Sequence, residues 1–146
     1  MRNIKRGIMR TRTHIVFPGL VLGLSLVLIL ILQTAAVAAD EGSLIDLVNQ
    51  ERQASGLAPL SYSPDLSSAA ALQAQENATC QCPSHAGQHY TSAENASVSA
   101  SASDAFQQWL GSAPHRANML NPSYTSIGVG YAQDENGNGH YVLNFA

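Results

Sequence analysis

The sequence predicts an α+β domain, and two observations carry that prediction. Segments with helical start signals and apolar stripes fill most of the chain beyond residue 39, and two runs with strict two-residue alternation close it. Helices followed by a hairpin, with no strand–helix–strand repeat, is the α+β order.

The leader comes first. Arg2, Lys5, Arg6, Arg10 and Arg12 precede the uncharged run "IVFPGLVLGLSLVLILILQ" and the small-residue exit "TAAVAAD". That is the order of a secretory signal, with cleavage expected after Ala38 or Ala39. The run also approaches the roughly 20 residues that cross a bilayer, so an uncleaved membrane anchor is the other reading of residues 1–39. Basic residues lie only before the apolar run, which places the rest of the chain outside the cytoplasmic membrane in either case. Beyond residue 39 only Arg52 and Arg116 face all ten Asp and Glu, a net charge of −8. A surface of that sign repels phosphate backbones and has no means of releasing their counterions, which excludes nucleic-acid binding. The 107 residues from 40 onward are enough for one core and too few for two.

"SLIDLVNQERQASG" is the first helix. Ser43 is its expected cap, Leu44, Ile45, Leu47 and Val48 form its apolar stripe, and Gly56 ends it. "LAPLSY" turns the chain at Pro59. A second helix opens in "SPDLSSAAALQAQENA", with Ser63 as cap, Pro64 at the first helical position and Asp65 complementing the dipole. Its alanines give a flat surface that another element can approach closely. From Thr79 to Ser103 the text is polar and Ser-rich, broken by Pro83 and Gly87, and is read as a loop region. "SDAFQQWLGS" is the third helix, with Asp104 as expected cap, and a short helical turn starts at Pro114. "SIGVGYA" and "HYVLNF" alternate as strands. "QDENGNG" joins them as a hairpin, and the glycine side of the first strand would let a helix sit close against the sheet.

Cys80 and Cys82 are an even number in a chain read as exported, so a bridge between them is expected, with free thiols as the alternative. So short a ring is a poor staple for a fold. Cys80, Cys82 and His85 are also close enough in sequence to share a zinc ion, but no second ligand pair follows. Asp134, Asn136, Asn138 and Gly139 match the first half of a calcium loop, yet its twelfth position is Phe145 and its flanks are strands, so a hairpin turn is the reading. There is no G-x-S-x-G, H-E-x-x-H or phosphate loop. What remains for chemistry is His85, Glu94 and His115: imidazoles that ligate a divalent metal or pass protons near neutral pH, and a carboxylate that completes the set or orients a ring.

In this order, "LVNQERQASGLAPLSYSPDLSSAAALQAQENA", "SHAGQHYTSAEN", "AFQQWLGSAPHRANMLNPSYTSIGVGYA" and "HYVLNFA" resemble the bacterial branch of the CAP superfamily, the cysteine-rich secretory proteins, antigen 5 and pathogenesis-related 1, or SCP-like domains. The likeness runs from Ser43 to Ala146, so residues 43–146 are read as one SCP-like domain after the leader. It implies an α-β-α sandwich with a small antiparallel sheet between helical layers, and a cleft in which two histidines and two acids converge. By match, His85 is the first histidine, Glu94 the first acid with Asn95 beside it, and His115 the second histidine. His89 is a possible substitute for His85. The second acid is replaced near Ser112, and Ala93 stands where a glycine is usual. Asn95, Trp109 and Asn118 are read as structural support, and Arg116 as the partner of an acid.

Two imidazoles with a carboxylate suffice for a metal site with an open position, whereas paired-acid catalysis has lost a member. The expectation is therefore a secreted binding module whose His85, Glu94 and His115 cleft takes a divalent metal or a small or lipid-like ligand, with zinc held by His85 and His115. An extracellular protein ligand is a further candidate, since relatives bind sterols, lipids or partner proteins, and a membrane is involved only through an uncleaved leader. The alternative is a metal- or His/Glu-assisted extracellular hydrolase, a peptidase or cell-wall enzyme; catalytic residues are not assigned.

Overall fold

The structure is a computed structural model that describes residues 42–85 and 91–146. The leader and His89 lie outside the described residues. The elements are helix α1 (residues 42–54), strand β1 (Ser61–Tyr62), helix α2 (Pro64–Cys80), strand β2 (Ala93–Ser99), helices α3 (Ala102–Gly111) and α4 (Ala113–Met119), and strands β3 (Ser126–Gln133) and β4 (Gly139–Phe145). Helices cover both faces of one four-stranded sheet, which is the α-β-α sandwich expected.

Sheet order is β1-β3-β4-β2. β3 and β4 form the expected antiparallel hairpin, Ile127 opposite Phe145 and Gln133 opposite Gly139. The turn between them is organised by Asp134. Its Oδ1 accepts from the N–H groups of Asn136 and Asn138, and its Oδ2 from the Asn138 amide at 2.9 Å and lies 3.3 Å from His140 Nε2. The Asn138 amide above all, against the opposing effect of burial, holds the Asp134 carboxyl at a pKa of about 2; the backbone N–H groups and His140 add to it.

Alternation divides the sheet into two faces. Ile127, Val129, Leu143 and Phe145 pack with Leu44 and Val48 of α1 and with Phe106 and Trp109 of α3. Val142 on the opposite face packs with Ala70, Ala74 and Ala78 of α2. There the glycines of β3 bring the helix backbone into direct contact: a Cβ on Gly128 would lie 2.2 Å from Ser67 N, and one on Gly130 2.2 Å from the Ala70 carbonyl carbon. α2 has the expected start, with the Ser63 hydroxyl accepting from Leu66 N–H at 3.3 Å and Pro64 in the first turn.

Four expectations need correction. The region from Thr79 to Ser103 is not all loop, since β2 occupies Ala93–Ser99 and pairs antiparallel with β4 along its length. Its composition hid it: Val98 is its one branched residue, and its buried polar side chains are satisfied by hydrogen bonds rather than by apolar neighbours. "LAPLSY" includes β1, which pairs parallel with β3, so the sheet is not wholly antiparallel. Ser43 already lies inside α1. α3 is capped by Ser101, whose hydroxyl accepts from Asp104 N–H at 3.1 Å and donates to the Asp104 carboxylate at 2.8 Å, so Asp104 belongs to the first turn.

Buried Arg52 fixes α4 relative to α1. Its guanidinium donates to the carbonyls of Ala58 at 2.9 Å, Met119 at 2.8 Å and Asn121 at 3.0 Å, tying the end of α4 to the first helix.

The glycine contact is directly testable. Gly130→Ala must push the α2 backbone away and is expected to cost about 2 kcal/mol or more of unfolding free energy in urea titration. Gly111→Ala meets nothing within 4 Å and should be neutral or gain up to about 1 kcal/mol as a helical substitution.

Candidate functional site

The candidate site lies at the free edge of β2. Strand alternation and register set Glu94 on the α2 face, directly opposite Asn144 of β4. α2 ends at Cys80, and the chain then runs through the Cys80–Cys82 disulfide to Ser84 and His85. Asn77, near the end of α2, directs this passage. Its side-chain oxygen accepts from Ser84 N–H at 3.1 Å, while Gln73 donates to Ser84 O at 3.1 Å.

His85 thereby reaches Glu94, with Nδ1 to Oε1 at 2.7 Å. The Glu94 side chain is only 1% exposed and that of His85 is 46% exposed, so anything arriving from solvent meets the imidazole and not the carboxylate. The Asn144 amide turns its nitrogen toward Glu94 Oε2 at 3.2 Å and its oxygen toward Ala70 N–H at 3.2 Å, the orientation that keeps two oxygens from facing each other. Burial pushes the Glu94 carboxyl above its ordinary pKa, against the hydrogen bond and charge of His85, which draw it down.

α4 brings the second imidazole. Asn95, fully buried, donates to the His115 carbonyl at 3.0 Å, and its oxygen accepts from Asn118 at 2.9 Å. His115 is half-buried; burial lowers its pKa, and the charge of His85 lowers it further. Side chains from α3 and α4 also complete the open edge of β2: the carbonyls of Glu94, Ala96 and Val98 accept from Asn118 at 3.4 Å, Trp109 Nε1 at 3.2 Å and Gln108 at 3.5 Å. Arg116 pairs with Glu51 at 3.1 Å.

Among the described residues, no three His, Cys, Asp or Glu side chains are grouped to hold a metal ion. The carboxylate of Glu94 is engaged by His85 and Asn144, so a three-ligand set of His85, Glu94 and His115 does not fit. The contact that is present is that of His85 with Glu94. Cys80 and Cys82 are bridged, which removes them from any ligand set. Asn144 and Asn77 were missed in the sequence. Asn144 sits in a strand of otherwise apolar and aromatic alternation, and that interruption was the available signal.

A sandwich with an imidazole–carboxylate contact at the edge of its sheet defines the class. The profile described as the cysteine-rich secretory protein family, CAP, matches residues 45–145, and the chain belongs to that family. It is 31% identical over 115 residues to the uncharacterized protein YkwD of Bacillus subtilis, covering 68% of this chain and 45% of that one. The chain thus spans less than half the length of that curated relative. Among solved structures, an outer surface protein of Borrelia burgdorferi superposes with a TM-score of 0.66 at 16% identity, covering 73% of this chain and 91% of the other. A cysteine-rich secretory protein of Staphylococcus aureus gives 0.60 at 22% identity, covering 74% and 38%. An extracellular protein of Bacillus anthracis containing an SCP domain gives 0.58 at 20%, covering 73% and 40%. These likenesses show the shared fold. Among the described residues no helix is long and apolar enough to cross a membrane.

The two perturbed groups act oppositely on stability. His115, lowered from 6.5, contributes stability that is fully present above that value and is lost as pH falls through its folded pKa. Glu94, raised from 4.5, contributes stability present below that value and lost as pH rises through its folded pKa. His115→Gln should therefore flatten the fall in thermal midpoint as pH drops below 6.5, relative to the parent. An unchanged slope in calorimetric scans would show that His115 titrates as it does in the unfolded chain.

Proposed function

We propose that this protein is an extracellular binding module, and that His85 and His115 present two imidazoles to one ligand at the edge of β2. The single observation that carries the reading is the Glu94–His85 contact at 2.7 Å. With Nδ1 directed at a carboxylate, the tautomer is fixed and Nε2 is left to face outward, the arrangement by which a carboxylate orients and strengthens an imidazole ligand. Burial favours the neutral ring at His115, the form that can ligate.

Two imidazoles suit a divalent ion of zinc type, whose remaining positions would be filled by water or by a donor atom of an incoming ligand. Zinc would be held by His85 and His115, with Glu94 outside the ligand set. A polar head of a small or lipid-like molecule would meet the same two rings. An extracellular place is supported by the order of the leader, and the Bacillus anthracis neighbour is described as extracellular.

The hydrolase reading has one observation in its favour: a buried carboxyl with a raised pKa in contact with an imidazole is an environment suited to proton transfer. Against it, Ser112 stands near the place where the resemblance implies a second acid.

Titration calorimetry with zinc should give heat in the intact protein, a large loss in His85→Ala with His115→Ala, and a weaker loss in Glu94→Gln, which keeps the shape and removes the charge behind His85. Equal heats in parent and double variant would refute the two-imidazole site. Cleavage of peptides or peptidoglycan by the parent above the Glu94→Gln level would move the assignment to the hydrolase.

A further inference from the structure

Two helices of this domain end in the same backbone motif with different residues at its centre. At the end of α1, Gly56 takes φ +75°, and Leu57 N–H donates to Arg52 O at 2.9 Å. At the end of α2 the same left-handed position is taken by Gln81, with φ 55° and ψ 37°, and Cys82 N–H donates to Asn77 O at 3.1 Å. Glycine adopts this conformation freely, whereas a residue with a Cβ is strained in it. The disulfide spans that strained residue, joining Cys80 to Cys82.

The bridge adds little to the fold, because it closes so short a ring. It is accessible: Cys80 and Gln81 are exposed and Cys82 is half-buried. Exposed disulfides are open to exchange with external thiols. What this one secures is the root of the segment that delivers His85. From Cys82 the chain passes to Ser84, bonded to Asn77 and Gln73, and then to His85 on Glu94.

We infer that Cys80–Cys82 is a reversible thiol–disulfide exchange site for a dithiol co-substrate, and that opening it releases His85 from Glu94. A thiolate of the dithiol attacks one protein sulfur, breaking the protein S–S bond and leaving the other sulfur as thiolate. The second thiol of the reagent loses its proton and attacks the mixed disulfide, expelling the second protein thiolate. Two electrons pass to the protein, each protein sulfur takes up a proton, and the reagent leaves as a cyclic disulfide. With the bridge open, Gln81 can leave the left-handed region, and Cys82 N–H then leaves Asn77 O.

The test equilibrates the intact protein with graded ratios of reduced and oxidised dithiothreitol and traps thiols by alkylation for mass spectrometry. Far-UV circular dichroism and the ring ¹H–¹⁵N correlations of His85 are followed in parallel. Both cysteines should become alkylated at ratios that leave the dichroism unchanged, with a displaced His85 Nδ1 signal. Cys80→Ser with Cys82→Ser should show the displaced signal without reagent and not respond to it. Reduction only together with loss of dichroism, or a His85 signal identical in both redox states, overturns the inference. Neither readout involves zinc, so the binding assignment stands or falls separately.

Discussion

The rest of the structure depends on a contact between backbones. α2 lies on β3 with no side chain between them at Gly128 and Gly130, and a single Cβ there would occupy space held by the helix main chain. Small residues on both surfaces permit this. Alanines bury little area each, so the stabilisation comes from the many close atom pairs that a short interlayer distance allows. Closeness also makes polar contacts. The Ser67 hydroxyl accepts from Val129 N–H at 3.0 Å, a strand donor that the two-residue β1 is too short to pair. The direction of α2, and therefore where Cys80 and His85 emerge relative to Glu94, follows from this fit.

The second constraint is the open edge of β2. A strand with one unpaired side needs partners for its outward carbonyls or invites pairing with another chain. Here Asn118, Trp109 and Gln108 supply those partners from α3 and α4. Because side chains rather than a further strand close the edge, the helix that carries His115 is held against the same few residues that carry Glu94. A buried carboxylate is tolerated at this place for a related reason. It is desolvated, but both its oxygens face donors, and His85 remains in contact with solvent. The site is thus a by-product of how the sheet is finished.

Legibility in the sequence followed the physical source of each feature. The hairpin, the α2 start and the glycine approach were readable because alternation, Ser63-Pro64 and Gly128/Gly130 are local signals. β2 was not, because "AENASVS" carries a strand only by virtue of its register with β4 and the helices that cap its edge. The residues of the site were found by type, and their division of labour was not. That Glu94 stands behind His85 rather than beside it depends on Asn144, fifty residues away, and on the burial that α2 imposes. Arg52 shows the same limit: a lone cation in an amphipathic helix reads as surface, yet it is buried on four carbonyls. Contacts between remote backbone groups leave no pattern in the chain that bears them.

Magnitudes explain why the end of α2 can respond without the domain failing. Closing a ring as short as Cys80–Cys82 is worth about 1.5 kcal/mol in the chain-entropy account, and a left-handed residue with a Cβ costs about 1–2 kcal/mol. The two are of similar size, and both are small beside the roughly 5–15 kcal/mol that stabilises a domain. Opening the bridge therefore removes the covalent support of a strained turn while the α2–β3 contact, which lies toward the other end of α2 at Ser67 and Ala70, is left intact. The consequence falls on whatever is weakest downstream. That is the passage from Cys82 to His85, where Ser84 bonds to Asn77 and Gln73, each bond worth about 1 kcal/mol. A local change at the disulfide is thus channelled toward the imidazole and away from the core.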